Sequence, residues 1–173
     1  MALPAEVAEP QGATPHPVDA TGRVTLRKDE GAAIRKAVGA EDGEPFNLIV
    51  TQDIDPCLLL FTSGQWDSFA DTLMQLPALD PEAKELRRIY IGPAQVVGVD
   101  KQDRIKLPQW LLDAGNLRAG ETHALLINRG DAYELWEVGT YRRHREQVLP
   151  RLKQYERTVW GRPELQPAVG TDE

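Results

Sequence analysis

Apolar positions along this chain come in short alternating runs separated by helical spacings, and the runs form two matching series. In the first, Val24 and Leu26 fall on one face of an extended segment at 23–26, with Arg23, Thr25 and Arg27 on the other. Asp29 stands where it can cap a short helix reaching to about Val38. After a loop at 39–45, the runs at 47–51 and 57–61 read as a β-hairpin, with Asp53 and Asp55-Pro56 in its turn. Trp66, Phe69, Ala70, Leu73 and Leu76 then recur at helical spacing until Pro77 ends the pattern. Asp80-Pro81 has the form of an N-cap followed by the first helical residue, opening a second helix towards Tyr90.

The second series has the same plan. Ile105 and Leu107 share one face of a strand, with Arg104 and Lys106 opposite. A short helix at 108–114 ends at Gly115. A hairpin follows from 123–127 and 133–136, turning at Gly130-Asp131. The match extends to individual residues. Val18-Asp19-Ala20-Thr21-Gly22-Arg23-Val24-Thr25-Leu26 returns as Val99-Asp100-Lys101-Gln102-Asp103-Arg104-Ile105-Lys106-Leu107. Each copy reads Val, Asp, three variable residues, Arg, a β-branched residue, a polar residue and Leu. A repeat of this kind indicates duplication of one small folding unit. One unit has a thin core, so the expected fold pairs the two about a pseudo-twofold axis and buries their apolar faces together.

This pattern divides the chain into an arm without periodicity (1–17), a first repeat (18–66), a helical connector (67–93), a second repeat (94–141), a C-terminal helix (142–160) and a tail (161–173). The arm and tail are expected to be disordered, being rich in Ala, Pro and Gly. Glu6 and Glu9, and the lack of a basic start before an apolar core, argue against a signal peptide there. No apolar stretch is long enough for a membrane span, and no membrane partner is expected.

Composition narrows the function. Hydrophobic residues make up 41% and charged residues 27%, as in a soluble globular protein. The formal charge of −7 counts against nucleic-acid binding unless the basic residues are segregated on one face. Cys57 is the single cysteine and lies in the run Cys57-Leu58-Leu59-Leu60-Phe61, which reads as a buried apolar position. His16, His123 and His144 have no metal-ligand spacing, and no Walker-type glycine loop or nucleophile elbow is present. The chain is therefore read as neither an enzyme nor a cofactor protein.

The paired Asp-x-x-x-Arg motifs bring a family into view. The chain resembles the MraZ transcriptional regulators over roughly 18–155, the second half more closely. There Arg87-Arg88-Ile89-Tyr90-Ile91-Gly92-Pro93-Ala94 leads into the second motif, then Pro108, Ala114-Gly115-Asn116-Leu117 and Glu134-Leu135-Trp136. The resemblance implies an α+β fold of two tandem AbrB-like swapped-hairpin repeats around a β-barrel-like core. It also implies a cytoplasmic, nucleoid-associated homo-oligomer, a ring, that binds double-stranded DNA at repeated boxes upstream of division and cell-wall genes. Its DNA-contacting motif carries over onto Asp19 and Arg23, and onto Asp100 and Arg104. The chain departs from the family pattern in three places. Asp103 stands where the family has Gly, and Arg27 where it has Pro. The Pro-rich arm with Pro15 and Pro17 occupies the place of the family's first strand, and proline is poor strand material.

The residues themselves allow two readings of the motif. An Arg entering a strand can present its planar fork to phosphate or guanine, with the Asp shaping the turn through backbone N–H groups. Alternatively, Asp and Arg simply staple each turn with a local ion pair, a contact that contributes about 0–1 kcal/mol at a surface. In the first reading Arg23 and Arg104 contact DNA while Arg27, Lys101 and Lys106 contact phosphates. Asp103 is then a repulsive acid beside Arg104, and removing it is expected to strengthen binding. A further basic cluster, Arg142, Arg143, Arg145, Arg151, Lys153, Arg157 and Arg162, reads first as a solvated helix face, with Val148, Leu152 and Tyr155 as its apolar stripe and Pro150 as an interruption, and second as an auxiliary DNA or RNA contact. Trp66, Trp110 and Trp136 fall within apolar patterns and are expected in the core or at a subunit interface.

Overall fold

A computed structural model describes residues 14–162 of the chain. In chain order its first unit contains β1 (His16–Pro17), β2 (Arg23–Thr25), α1 (Lys28–Ala37), β3 (Phe46–Gln52), β4 (Cys57–Phe61), α2 (Ser63–Met74) and α3 (Pro81–Tyr90). It continues with β5 (Gln95–Val99), β6 (Arg104–Lys106), α4 (Gln109–Ala114), β7 (His123–Asn128) and β8 (Tyr133–Glu137). The strands form one antiparallel sheet in the order β1-β7-β8-β4-β3-β5-β6-β2. Val18 opposes Val24 in an isolated bridge, which brings the two ends of that order together and nearly closes the sheet into a barrel. Closure matters because it leaves little unpaired strand edge.

The strand registers follow the sequence repeat. β2 and β6 pair with Val24 opposite Ile105, its counterpart in the second copy. β4 and β8 pair with Leu59 opposite Glu134. His16-Pro17 opposes Ala124-His123, as Val97-Gly98 opposes Leu48-Asn47. The barrel interior is filled from both copies: Val24, Leu26, Leu48, Val50, Leu58 and Leu60 pack with Ile105, Leu107, Leu111, Leu126 and Leu135. Neither copy has a separate core.

Every residue of β4 is buried, which explains its unbroken apolar run. Leu58 and Leu60 face the barrel core, while Leu59 and Phe61 join a second cluster with Trp66, Phe69 and Tyr90. Phe61 stacks on Phe69 at 4.9 Å between ring centroids, and Tyr90 meets Phe69 edge-on at 5.2 Å. The helices carrying these rings are set by their caps. Thr62 Oγ1 accepts from Gln65 N–H (3.3 Å) while Gln65 Oε1 accepts from Thr62 N–H (3.0 Å). Asp80 Oδ1 accepts from Ala83 N–H (2.8 Å) with Pro81 at the first helical position.

Three expectations need correction, and one strand was missed. Arg27, not Asp29, is the N-cap of α1. Glu30 Oε2 accepts the Arg27 N–H (2.9 Å), and Asp29 lies in the first turn, where it binds the Arg27 guanidinium. His16 and Pro17, assigned to the unfolded arm, form β1; proline is tolerated there because the strand is only two residues long. The rest of that arm, 1–13, lies outside the described residues. β5 was not anticipated at all. Of the two places expected for Trp110, the core is excluded: it is 38% exposed, and its Nε1 donates to Gln95 Oε1 (3.1 Å).

A second compact unit begins at Gly139. It holds most of α5 (Val138–Val148), a 3-10 turn at Leu149–Arg151 that contains Pro150, and α6 (Leu152–Trp160). Leu149, Leu152, Tyr155 and Val159 are exposed along it at helical spacing.

Candidate nucleic-acid interface

The two motifs build the same turn. In the first, Gly22 N–H donates to Asp19 O (3.0 Å) and Asp19 N–H to Arg23 O (2.9 Å). In the second, Asp103 N–H donates to Asp100 O (3.0 Å) and Asp100 N–H to Arg104 O (3.1 Å). The carboxylate then locks each loop from within. Asp19 Oδ1 accepts from the N–H groups of Thr21 (2.7 Å) and Arg23 (3.0 Å) and from the Thr21 hydroxyl (2.7 Å). Asp100 Oδ1 accepts from the N–H groups of Gln102 (2.9 Å) and Arg104 (3.0 Å). An Asp is required because its short side chain reaches backbone donors two and four residues on. Each turn also needs one residue with positive φ: Gly22 (77°) in the first and Asp103 (59°) in the second.

Electrostatics follow from this geometry. The Arg23 backbone N–H and the Thr21 hydroxyl hold the Asp19 carboxyl below its usual range. At Asp100, burial pushes the carboxyl up. The Arg104 N–H, the Arg104 guanidinium and the Gln102 N–H outweigh it, and the net shift is downward. Both carboxylates are therefore ionised at neutral pH.

The arginines are held differently. Arg104 Nε pairs with Asp100 Oδ2 at 2.7 Å, and its Nη2 donates to Gln102 Oε1 (3.1 Å). Arg23 donates through Nη1 to the Thr21 hydroxyl (2.8 Å). The antiparallel pairing of β2 with β6 sets Arg23 opposite Lys106 and Thr25 opposite Arg104. Alternation turns these four side chains away from the core that takes Val24 and Ile105. Arg23, Asp100, Arg104 and Lys106 consequently line one open groove of about 430 Å³, together with Phe46 and Asn47.

Three of the expected site residues do not line that groove: Asp19, whose carboxylate is taken up inside its own turn, Arg27 and Lys101. Arg27 donates from Nε and Nη2 to the two Asp29 carboxylate oxygens (3.1 and 2.9 Å) and from Nη1 to Thr14 Oγ1 (2.7 Å). Lys101 is exposed and lies 3.5 Å from Glu44 Oε1. Asp103 also differs from expectation. Its carboxylate is not an open acid beside Arg104, because Oδ1 accepts from Arg35 Nη2 on α1. The motive for expecting stronger binding on its removal therefore falls away. Arg35 was missed by sequence reading. Its partner is 68 residues away, and the one local hint was Gly31, a glycine in mid-helix.

Other chemistry is sparse. Burial and the nearby Asp53 carboxylate push the Cys57 thiol far up, so it is an inert apolar group. Among the described residues no cluster of His, Cys, Asp or Glu is placed to hold a metal ion, and no helix is long and apolar enough to cross a membrane.

No family model matches the chain. Individual proteins do. A Legionella pneumophila (strain Paris) protein named transcriptional regulator MraZ is 35% identical over 133 residues, covering 76% of this chain and 82% of its own length. A protein of the same name from Hydrogenovibrio crunogenus is 32% identical over the same shares. Another from Alkalilimnicola ehrlichii is 30% identical over 145 residues, covering 83% and 91%. These likenesses cover three quarters or more of this chain and four fifths or more of each relative, and on them the chain belongs to the MraZ family of transcriptional regulators.

Proposed function

We propose that this protein is a sequence-specific DNA-binding transcriptional regulator whose contact surface is the groove beside the β2–β6 pair. The observation that carries this reading is the register itself, which puts Arg23 beside Lys106 and brings Arg104 from the other repeat to the same face. Two strands from two copies of one motif thus present three cations at a single opening. The planar guanidinium suits guanine edges and phosphate alike, and the internally locked turns fix where each strand begins.

The remainder of the reading concerns organisation. The two repeats act as AbrB-like halves related by a pseudo-twofold axis, and the segments 18–66 and 94–141 are their natural bounds. One groove neutralises few phosphates, so useful affinity requires a homo-oligomer, a ring, engaging several promoter repeats at once. With a chain charge of −7, the acids other than Asp100, which is paired with Arg104, must lie away from the groove. The genes implied are those of division and the cell wall, in a cytoplasmic, nucleoid-associated setting.

A second reading is an oligomeric scaffold of the same fold that has lost DNA binding. The Asp100–Arg104 pair favours it, since a guanidinium already bound to a carboxylate gives up that bond to meet a phosphate. A mobility-shift titration with the duplex from upstream of the protein's own gene, at two salt concentrations, separates the two. The regulator binds with affinity falling steeply in salt. Lys106→Ala weakens all sequences alike and reduces the salt slope by about 0.9. A scaffold gives no shift at either concentration.

A further inference from the structure

Arg35 is one of the few charged residues in the core of this fold, at 5% exposure, and its guanidinium is held on three sides. Nη2 donates to Asp103 Oδ1, Nε donates to the Glu44 carbonyl (3.0 Å), and the group lies 5.2 Å over the Phe46 ring. It belongs to α1, in the first repeat. Asp103 belongs to the turn that launches Arg104 in the second. The pair therefore ties the helix of one copy to the DNA-facing turn of the other.

The corresponding contact on the other side of the fold is built oppositely. In the first turn Gly22 leaves no room for a side chain: a Cβ there would lie 2.9 Å from Leu112 Cδ1 on α4. In the second turn the side chain is present and the helix gives way. A Cβ on Gly31 of α1 would lie 2.5–2.8 Å from the Asp103 carboxyl atoms. Gly31 and Leu112 occupy matching places in the two copies, so small and large residues have exchanged between turn and helix. The backbone frame is unchanged by the exchange. Asp103 O accepts Leu26 N–H (2.9 Å) as Gly22 O accepts Leu107 N–H (3.2 Å). What the exchange adds is a buried, charged clip on a residue at φ 59°, a conformation in which Asp is strained and glycine is not.

We propose that Arg35 is a positioning residue for DNA recognition: by holding Asp103 it fixes the Asp100–Arg104 turn and withholds an acid from the groove. This deepens the DNA-binding reading and rests on it for its functional arm. Without Arg35, the Asp103 carboxylate is left without its cation, one residue before Arg104, and the turn at φ 59° loses its clip.

The test reads the turn and the DNA separately. Hydrogen exchange is followed at the Gln102 and Arg104 amides, which donate to Asp100, with the Thr21 and Arg23 amides as the internal reference. Arg35→Met accelerates the first pair about tenfold relative to the second, since partners in one network couple strongly. Affinity for the upstream duplex falls by a similar factor of about ten. Arg35→Met/Asp103→Gly restores both readouts to within about threefold, because glycine takes the positive φ freely and the acid is gone. Should the single variant fail to fold, Arg35→Lys carries the test. Its ammonium reaches one partner but not the fork's two, and intermediate acceleration is expected. Unchanged exchange in Arg35→Met or Arg35→Lys, or a double variant no better than the single, overturns the positioning role. Accelerated exchange in a protein whose parent shows no duplex binding instead overturns the DNA reading and leaves the positioning role standing.

Discussion

The first turn, 18–23, and the second, 99–104, have the same hydrogen-bonded backbone, but each commits its carboxylate differently. Asp19 gives one oxygen to three donors within the loop, and Arg23 reaches only the Thr21 hydroxyl. Asp100 gives one oxygen to the backbone and the other to Arg104 Nε. One motif thus serves two purposes at once. As a staple of the loop it is used alike in both copies; as a guide for the arginine it is used only in the second. The surroundings diverge in the same sense, with glycine packed under Leu112 in one turn and Asp103 clipped to Arg35 in the other. The backbone frame is the same in both turns, and each holds it in its own way.

The most disruptive way to probe this comparison is through the shared core. Leu26 and Leu107 are matching residues, 4% and 2% exposed, in a single cluster. Leu26→Ala and Leu107→Ala are each expected to cost about 2–5 kcal/mol in urea unfolding, and to cost alike. A large cost at Leu107 with none at Leu26 would mean that the copies do not share the core equally.

A subtler break uses the exchanged glycine. In an ordinary helix interior Gly→Ala stabilises by about 1 kcal/mol. Gly31→Ala is expected to destabilise instead, because its Cβ collides with the Asp103 carboxylate that Arg35 holds. In an Asp103→Gly background the collision disappears, and the same substitution should recover a gain of about 1 kcal/mol. Thermal unfolding of the four proteins gives the answer; the same sign in both backgrounds would refute this packing.

The smallest expected effect is in acid. Asp19 and Asp100 both titrate below the ordinary 3.8. A carboxyl with a depressed folded-state pKa adds stability above its unfolded value, and that stability is lost as pH falls through the folded one. The turn locks should therefore be constant from pH 7 to about 5 and release only below about 4. Carboxyl carbon shifts in an NMR titration would show both midpoints below 3.8. A midpoint above that value at either residue would separate the two turns.

What could be read in the sequence and what could not divides along physical lines. Both hairpins and the Asp80-Pro81 cap were legible, because alternation and capping are local signals. The repeat placed Val24 and Ile105 at matching positions, but that the two strands pair directly was not read from it. β1 and β5 were not legible. One is two residues long and contains a proline, and the other reads Gln-Val-Val-Gly-Val, without clean alternation. At the site, Asp19, Arg23, Asp100 and Arg104 were visible as a motif, and Lys106 by alternation. The commitment of Arg27 to Asp29 and of Arg35 to Asp103 was not. The first depends on a helix beginning two residues earlier than an Asp29 cap would start it. The second depends on a contact between repeats, which no local pattern encodes.

The central claim is that the two arginines on the β2–β6 face act together as the DNA contact. It is tested most directly by duplex titration of Arg23→Ala/Arg104→Ala, with light scattering confirming that the variant assembles as the parent does. The double variant is expected to lose at least about tenfold in affinity for the upstream duplex, about 1.4 kcal/mol, with each single variant losing part of it. An affinity equal to the parent's in a correctly assembled double variant would contradict it, leaving the repeated motif as a staple of the fold and the protein as a scaffold.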